Sequence, residues 1–210
     1  MRLFILKSCS VQGVLRLTKV VCVQAEYDIT RLRLKIQGTR MPNFKTLWDN
    51  YPNPDEIKAK CQNKQAGGSS PFENYCAILM SECLTKSGID IAKCPSKYKC
   101  WSHNGPRHVI LAENLAAWLS KSPPEGFSKP VKINPVNFQK SLVGKTVVVF
   151  FKDYWQRPGE SAEGRSGDHI DLWNKSRITE GSMTYRAVIE FFGFVSQLSK
   201  SREVLFWEVK

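Results

Sequence analysis

The sequence predicts an α+β domain in which helices pack on a mostly antiparallel sheet. Three observations indicate this class. Apolar residues at helical spacing dominate the first part of the chain after residue 41, a continuous apolar run at 146–151 is typical of a buried strand, and a second strand-like run closes the chain at 204–209. Helices that precede strands along the chain, rather than alternating with them, are typical of α+β domains.

The length and the charge of the chain predict one folded domain with an extension. The chain has 210 residues and a formal net charge of +12, and this length suits a single hydrophobic core. Half of the excess charge falls in residues 1–40, which hold eight basic and two acidic residues. We therefore expect a basic extension of unknown role over 1–40 and a folded domain over 41–210, with Met41 as a candidate start of the functional chain.

The pattern of charge and hydropathy argues against a leader, a membrane span and a nucleic-acid groove. Lys7, Arg16 and Lys19 interrupt the apolar stretch near the N-terminus, so no cleaved signal peptide is predicted. No apolar run reaches the roughly 18 residues that span a membrane, so stable membrane insertion is not expected. Basic residues are not interleaved with aromatic ones, as they are in single-strand binding grooves, so no nucleic-acid partner is expected.

Three helices are predicted at the start of the domain. The first covers 44–51, where apolar residues share one helical face, and Pro52 ends it; a polar second helix covers 55–64. The third begins at Ser70, because the Ser-Pro-x-Glu sequence that starts there is a capping box with proline at the first helical position. Asn74 is the alternative cap.

The later elements are mostly strands. The third helix should end at the Ser-Gly pair of 87–88. The elements expected after it are a loop over 90–107, a helix over 108–120, a proline-rich connection over 123–135, a strand over 146–151 in the middle of the sheet, a half-buried strand over 169–173, a helix over 188–198 and a closing strand over 204–209.

Cys76 and His169 are the candidates for nucleophilic chemistry. A thiol attacks an acyl carbon only as a thiolate, and it needs a base that a distant part of the fold supplies. Cys76 follows a Gly/Ser-rich loop, and His169 starts a strand after a Gly-containing loop. Composition alone favours a buried structural role for Cys76, since free cysteine is among the most buried residue types. Cys83, two helical turns further on, is assigned to the core.

The position of the helix cap bears on this interpretation. If Ser70 is the cap, Cys76 is the sixth helical residue and lies beyond the strongest effect of the helix dipole. If Asn74 is the cap, Cys76 is the second, where exposed N–H groups can stabilise a thiolate and an oxyanion.

Two segments resemble a known family of enzymes. Phe-Glu-Asn-Tyr-Cys-Ala-Ile at 72–78, followed by Ser-Gly-Asp-His-Ile-Asp-Leu-Trp-Asn at 166–174, is similar to the fourth family of type VI secretion amidase effectors. Supporting matches are Phe-x-x-Leu-Trp-x-x-Tyr-Pro at 44–52, Arg-His at 107–108 and Phe-Trp-Glu at 206–208. The resemblance covers about 41–210, and residues 1–40 have no counterpart in it.

The resemblance implies a papain-like fold and hydrolysis of the bond between D-glutamate and diaminopimelate in peptidoglycan stem peptides. It implies Cys76 as nucleophile and His169 as base, with no cofactor. It further implies secretion by the type VI apparatus, action in the periplasm of a target bacterium, and a cognate immunity protein that blocks the site.

The acid that orients the histidine has two candidates. The family's acid lies some way beyond the histidine, where this chain offers Glu180. Asp171 shares a strand face with His169, although side chains at that spacing start roughly 7 Å apart. We favour Asp171, because its segment is an ordered strand and Glu180 adjoins a glycine in a predicted turn. Asp168 should point to the other face.

A second group of cysteines and histidines raises the question of a metal. Cys94, Cys100, His103 and His108 offer four zinc ligand types, but their spacing matches no common zinc finger. We instead expect a disulfide between Cys94 and Cys100 with two surface histidines, which suits an oxidising compartment. No metal ligands are therefore assigned.

Two other functions remain open on the residues alone. One is a papain-like acyltransferase or peptidase with another substrate, since one fold hosts several chemistries. The other is a non-enzymatic basic protein that binds anionic partners through residues 1–40. The binding protein would show steep salt dependence and would tolerate replacement of Cys76.

Overall fold

The structure is a computed structural model that describes residues 41–63, 72, 74–100, 103, 105–161, 163–179, 181–182 and 198–210. The chain divides into two units, Met1–Arg40 and Met41–Lys210, and every described residue lies in the second. The extension over 1–40, the Ser70 cap, Glu180 and the helix expected over 188–197 lie outside the described residues.

The described elements follow the expected order of helices before strands. The helices are α1 (Phe44–Asp49), α2 (Pro54–Lys60), α3 (Cys76–Lys86), α4 (Ala112–Lys121) and α5 (Phe138–Leu142), with 3₁₀ turns at Ile91–Lys93, Pro135–Asn137 and Leu198–Lys200. The strands are β1 (Val131–Ile133), β2 (Thr146–Trp155), β3 (Gly167–Asn174), β4 (Arg177–Ile178), β5 (Gly181–Ser182) and β6 (Glu203–Glu208). These strands form one sheet in the order β1-β6-β2-β3-β4-β5.

The sheet is antiparallel, and β2 lies at its centre. β2 pairs with β6 on one side and with β3 on the other. Val147, Val148 and Val149 are fully buried, which confirms that the run without a polar face belongs in mid-sheet. The architecture is therefore the predicted α+β class.

Side chains cover both faces of the sheet, and this corrects the expectation of a half-buried β3. Ile170 and Leu172 belong to the core cluster that includes residues of α3 and α4. On the other face, Trp173 packs with Phe138 of α5, and its indole N–H donates to the Leu142 carbonyl over 2.8 Å. No element is predicted from the sequence between the connection over 123–135 and the strand over 146–151, so the sequence expectation lacked the short helix that covers the second face.

Two helices begin later than predicted. α3 starts at Cys76 instead of Ser70, and α4 starts at Ala112 instead of 108. Residues before α4 are held in extended pairing, because Lys99 and Val109 form a β-bridge and the Cys100 N–H donates to the His108 carbonyl over 2.9 Å. Within the described residues, no helix is long and apolar enough to cross a membrane.

Candidate active site

The N-terminus of α3 presents Cys76 at the first helical position. The Asn74 Oδ1 accepts the Cys76 N–H over 2.8 Å, but the N-cap position itself belongs to Tyr75, one residue later than the Asn74 alternative, so Cys76 is the first helical residue and not the second. The Tyr75 hydroxyl accepts the Phe72 N–H over 3.1 Å and donates to the Cys61 carbonyl over 2.8 Å. These bonds tie Tyr75, the N-cap of α3, to Phe72 and to Cys61.

Cys76 and His169 meet, as predicted from the sequence. The two side chains lie close enough for the thiol to raise the pKa of the imidazole, and the Cys76 Sγ lies 3.8 Å from the Asp168 carbonyl oxygen. Both residues are nearly enclosed, with 7% and 5% of their surface exposed. The contact therefore joins the start of α3 to the start of β3 across more than 90 residues of sequence.

Asp171 lies behind the histidine. Its Oδ2 is 3.3 Å from the His169 Nε2, which leaves Nδ1 as the ring nitrogen available to the thiol. The carboxylate is fully buried and its Oδ1 accepts the Leu172 N–H over 2.7 Å and the Thr179 hydroxyl over 2.5 Å. The chain thus brings together all three residues that the sequence singled out, in the contact order thiol, imidazole, carboxylate.

This environment favours a positively charged imidazole. Burial by itself lowers the pKa of His169, but the hydrogen bonds to Asp171 and Cys76 outweigh it and raise the pKa well above its usual value. A proton on the imidazole beside a thiolate is the resting form of an activated cysteine nucleophile. The arrangement is therefore competent for acyl transfer.

Thr179 and Tyr51 belong to the same environment, and sequence reasoning missed both. Burial, followed by the charge of Asp171, raises the pKa of Tyr51 well above its usual value, and its hydroxyl bonds to Thr179. Tyr51 therefore stays neutral next to the carboxylate. A hydroxyl residue eight positions after Asp171 carries no periodic signal, so no sequence pattern selects Thr179.

A cleft of about 260 Å³ opens beside the thiol. Its lining includes Asn74, Cys76, Arg157 and Asp168, together with the indole of Trp155. Arg157 lies over the Trp155 ring at 5.6 Å from the centroid, and its buried Nε has no hydrogen-bond partner within the described structure. The lining of the cleft therefore carries a cation as well as the Cys76 thiol.

A β-bulge shapes the wall of this cleft. The register of β2 against β3 shifts between Phe151 and Trp155, and Asp153 within that stretch has a φ of 52°. The Asp168 Oδ1 accepts the Asp153 N–H over 2.9 Å and so fixes the bulge. Asp168 lines the cleft, whereas the neighbouring His169 side chain bonds to Asp171, as the strand alternation predicts.

The other cysteines separate into structural and clustered groups. Cys83 is fully buried, its Sγ is 3.2 Å from the Leu47 carbonyl oxygen, and burial raises its pKa to about 12. It is therefore an inert thiol, as expected. The expected disulfide is wrong: Cys94 and Cys100 are both free, and Cys94 lies against the Asn114 carbonyl instead.

Cys100 contacts a cysteine that the sequence did not place with it. Four side chains lie together, and their sulfur and ring nitrogen atoms are all within 4.8 Å of one another; we call them the four-residue cluster: Cys61, Cys100, His103 and His108. His108 is 1% exposed, so it is not the surface residue expected from the sequence.

Comparison with known proteins assigns the class of this domain and then its family. A profile of type VI secretion system (T6SS) amidase effector protein 4, Tae4, matches residues 72–207. Proteins of this class are amidases, and are therefore hydrolases. The chain belongs to the Tae4 family. No curated protein matches it significantly.

Solved structures of this family share the fold. The Tae4 effector from Enterobacter cloacae is 20% identical, with 80% of this chain and 97% of that chain covered and a TM-score of 0.55. The Tae4–Tai4 effector–immunity complex from Enterobacter cloacae is also 20% identical, with 80% of this chain and 99% of that chain covered and a TM-score of 0.51. The Tae4/Tai4 effector–immunity system from Salmonella typhimurium is 19% identical, with 81% of this chain and 99% of that chain covered and a TM-score of 0.52. At this identity the likeness establishes the α+β fold.

Proposed function

We propose that this chain is a cysteine amidase that hydrolyses the D-glutamyl–diaminopimelate bond of peptidoglycan stem peptides. The single observation that carries the proposal is the contact of a cleft-lining thiol with an imidazole whose other nitrogen contacts a buried carboxylate. We call these three residues the proposed triad: Cys76 as nucleophile, His169 as base and Asp171 as orienter.

The first step forms a bond between the Cys76 sulfur and the acyl carbon of the D-glutamyl side chain. The carbonyl oxygen becomes an oxyanion, and the start of α3 is suited to receive it. The N–H groups of a first helical turn lack helical partners, and the Asn74 Oδ1 already accepts the Cys76 N–H, so the Asn74 amide N–H₂ remains as a further donor. Donors fixed in advance at a developing charge are a large source of rate enhancement.

The second step breaks the carbon–nitrogen bond. His169 donates its proton to the diaminopimelate nitrogen, which leaves as an amine, and the acyl group stays on the sulfur. A water molecule then gives a proton to His169 and its oxygen to the acyl carbon. The carboxylic acid is released and the thiol is regenerated, so the overall reaction consumes one water and needs no cofactor.

Charge in the cleft supports an anionic stem peptide as substrate. The D-glutamyl residue carries a free α-carboxylate when its side chain is in peptide linkage, and diaminopimelate carries another. Arg157 contributes a guanidinium to the lining of the cleft that also contains Cys76, with a buried Nε that has no partner among the described residues. Arginine binds carboxylates with two parallel hydrogen bonds, so Arg157 is our candidate for the residue that selects this substrate.

The test is digestion of purified peptidoglycan by the full chain, with the fragments read by mass spectrometry. We expect fragments that end at D-glutamate and complementary fragments that begin at diaminopimelate. Cys76→Ala should abolish cleavage while its circular dichroism and melting temperature stay close to those of the parent. Full lytic activity in this variant contradicts a cysteine mechanism, and fragments cut at another bond contradict the substrate assignment but not the nucleophile.

The biological setting follows from the family and is proposed on that basis. We infer delivery by the type VI apparatus and action in the periplasm of a target bacterium. Two of the solved relatives are effector–immunity structures with Tai4, so we also expect a cognate immunity protein for this chain. Residues 1–40 lie outside the matched region, and we expect a chain that begins at Met41 to retain cleavage.

A further inference from the structure

We propose that the four-residue cluster is a structural zinc site that fastens the segment before the nucleophile helix to its neighbouring loop. The inference is independent of the amidase activity, because it rests on residues away from the proposed triad. The cluster offers two thiolates and two imidazoles, and this set suits tetrahedral zinc.

The distances within the cluster suit a tetrahedral ion. With Zn–S near 2.3 Å and Zn–N near 2.0–2.1 Å, neighbouring ligand atoms of a tetrahedron lie about 3.3–3.8 Å apart. The Cys61 Sγ is 3.0 Å from the His108 Nδ1, and the Cys100 Sγ is 3.1 Å from the His103 Nε2 and 3.5 Å from the His108 Nδ1. These three contacts differ from tetrahedral separations by a few tenths of an ångström, and since all four ligand atoms lie within 4.8 Å of one another, shifts of up to about 1 Å convert the cluster into a coordination sphere.

Glu82 supports this assignment because its carboxylate contacts the ring nitrogen of His108 that faces away from the sulfurs. The His108 Nδ1 faces the sulfurs, while its Nε2 lies 2.8 Å from the Glu82 Oε2. A carboxylate on the far nitrogen of a histidine is the usual partner of a metal-bound imidazole, because it fixes the tautomer and strengthens the ligand. The His108 backbone N–H also donates to the Cys100 Sγ over 3.1 Å, a bond that stabilises a thiolate.

The four ligands come from two segments that lie far apart in the sequence. Cys61 follows α2, whereas the other three lie in the loop between the 3₁₀ turn at Ile91–Lys93 and α4. Cys61 and Cys100 belong to the small core cluster that also contains Tyr75 and Ile78. An ion at this point joins α2, the loop and, through Glu82, α3.

The link extends to the cleft. The Tyr75 hydroxyl donates to the Cys61 carbonyl, and Tyr75 directly precedes Cys76. Fixing Cys61 therefore fixes the residue that sets the start of α3. A disulfide between Cys61 and Cys100 is the competing use of the two sulfurs, but it leaves unexplained why two histidines converge on them and why one has a partly buried carboxylate behind it.

The experiment measures metal in the full chain. The protein is produced with zinc chloride in the medium and purified under reducing conditions, and bound metal is determined by plasma mass spectrometry. We expect about one zinc per chain, as in other four-ligand sites. Cobalt(II) chloride added to chelator-treated protein should give the strong visible bands and the thiolate charge-transfer band of tetrahedral cobalt.

Variants locate the ion. Cys100→Ser and His103→Gln should each lose most of the zinc and the cobalt spectrum, whereas Glu82→Gln should weaken zinc binding about 10- to 100-fold. Cys94→Ala, a buried cysteine outside the cluster, and Cys76→Ala should both keep a full equivalent. Zinc that persists in both cluster variants overturns the assignment, because the ion then binds elsewhere.

A measurement on the parent chain decides the matter if the cluster variants do not fold. Removal of the metal by a chelator should lower the melting temperature, and zinc chloride should restore it. A folded parent without zinc or cobalt binding overturns the proposal. So does an intact mass lower by two hydrogens with linked Cys61 and Cys100 peptides, which identifies a disulfide.

Discussion

Replacement of Asp171 by asparagine tests the proposed triad most directly, because it removes one charge and keeps the shape. At the observed 3.3 Å between the His169 Nε2 and the Asp171 Oδ2, the attraction of a carboxylate for an imidazolium is about 5 kcal/mol at an effective dielectric constant of about 20. Each 1.36 kcal/mol corresponds to a factor of ten in rate. Because desolvation offsets part of this attraction, we expect kcat to fall by about 10³-fold.

The variant should also change the pH profile in a defined direction. The hydrogen bond to Asp171 is the largest influence that raises the pKa of His169. Its loss should lower that pKa, so the imidazolium that protonates the leaving amine should be lost at lower pH. The basic limb of the kcat profile should therefore move toward neutrality. The assay is release of diaminopimelate-ended fragments from purified muropeptides across the pH range.

Two matched variants complete the test. Asp49→Asn changes an exposed carboxylate of α1 that pairs with Lys45, and it should leave kcat unchanged. Glu180→Gln changes the competing acid, and it should cost little if Asp171 is the orienter. An Asp171→Asn enzyme within a few-fold of the parent, beside a Glu180→Gln enzyme slowed by orders of magnitude, would refute the assignment.

Three further predictions follow from burial and close contacts. Cys83→Ala should lower the free energy of unfolding by about 1–2 kcal/mol with cleavage retained, since Cys83 is fully buried; urea unfolding measures this, and lost cleavage at intact stability would contradict its structural role. Gly167→Ala places a methyl group 2.3 Å from the Trp155 indole, so it should destabilise the domain by about 1–3 kcal/mol and raise KM; an unchanged melting temperature would show that the indole moves freely. Burial raises the pKa of Asp168 to about 6, so ionisation of this carboxyl costs stability as pH rises through about 6. The melting temperature of Asp168→Asn should therefore exceed that of the parent near pH 8, and the difference should vanish below about pH 4. A difference in melting temperature that persists in acid would contradict the raised pKa.

The features that the sequence predicted correctly depend either on a local hydropathy pattern or on one reactive residue requiring another. The central position of β2 follows from Val147, Val148 and Val149, which leave the strand without a polar face. The sequence predicts that Cys76 and His169 lie close together, because an activated thiol requires a base. The structure brings these two together by placing the start of α3 at the start of β3.

The errors came from contacts between distant segments. The Ser-Pro-x-Glu pattern at Ser70 predicts a helix start there, whereas α3 starts at Cys76 after the N-cap Tyr75, whose hydroxyl bonds to the Cys61 carbonyl, and no local rule reports such a bond. The disulfide was assigned to Cys94 because it lies six residues before Cys100, whereas the fold brings in Cys61 from 39 residues away. Loop closure over longer stretches costs little extra free energy, so closeness in sequence is a poor guide to partners.

Access to solvent distinguishes the two thiol–imidazole–carboxylate arrangements of this domain. Cys61, His108 and Glu82 lie in the same contact order as the proposed triad, with separations of 3.0 and 2.8 Å. Geometry alone therefore does not select the nucleophile. Cys61 is fully buried and does not line the cleft, and a second sulfur, that of Cys100, shares its histidine. A substrate carbonyl cannot reach Cys61 without unpacking the small core around it, whereas the Cys76 sulfur meets a cleft with a cation on its wall. Thiol and imidazole groups that converge where no substrate can reach them favour metal binding, whereas the same groups beside an open cleft favour acyl transfer.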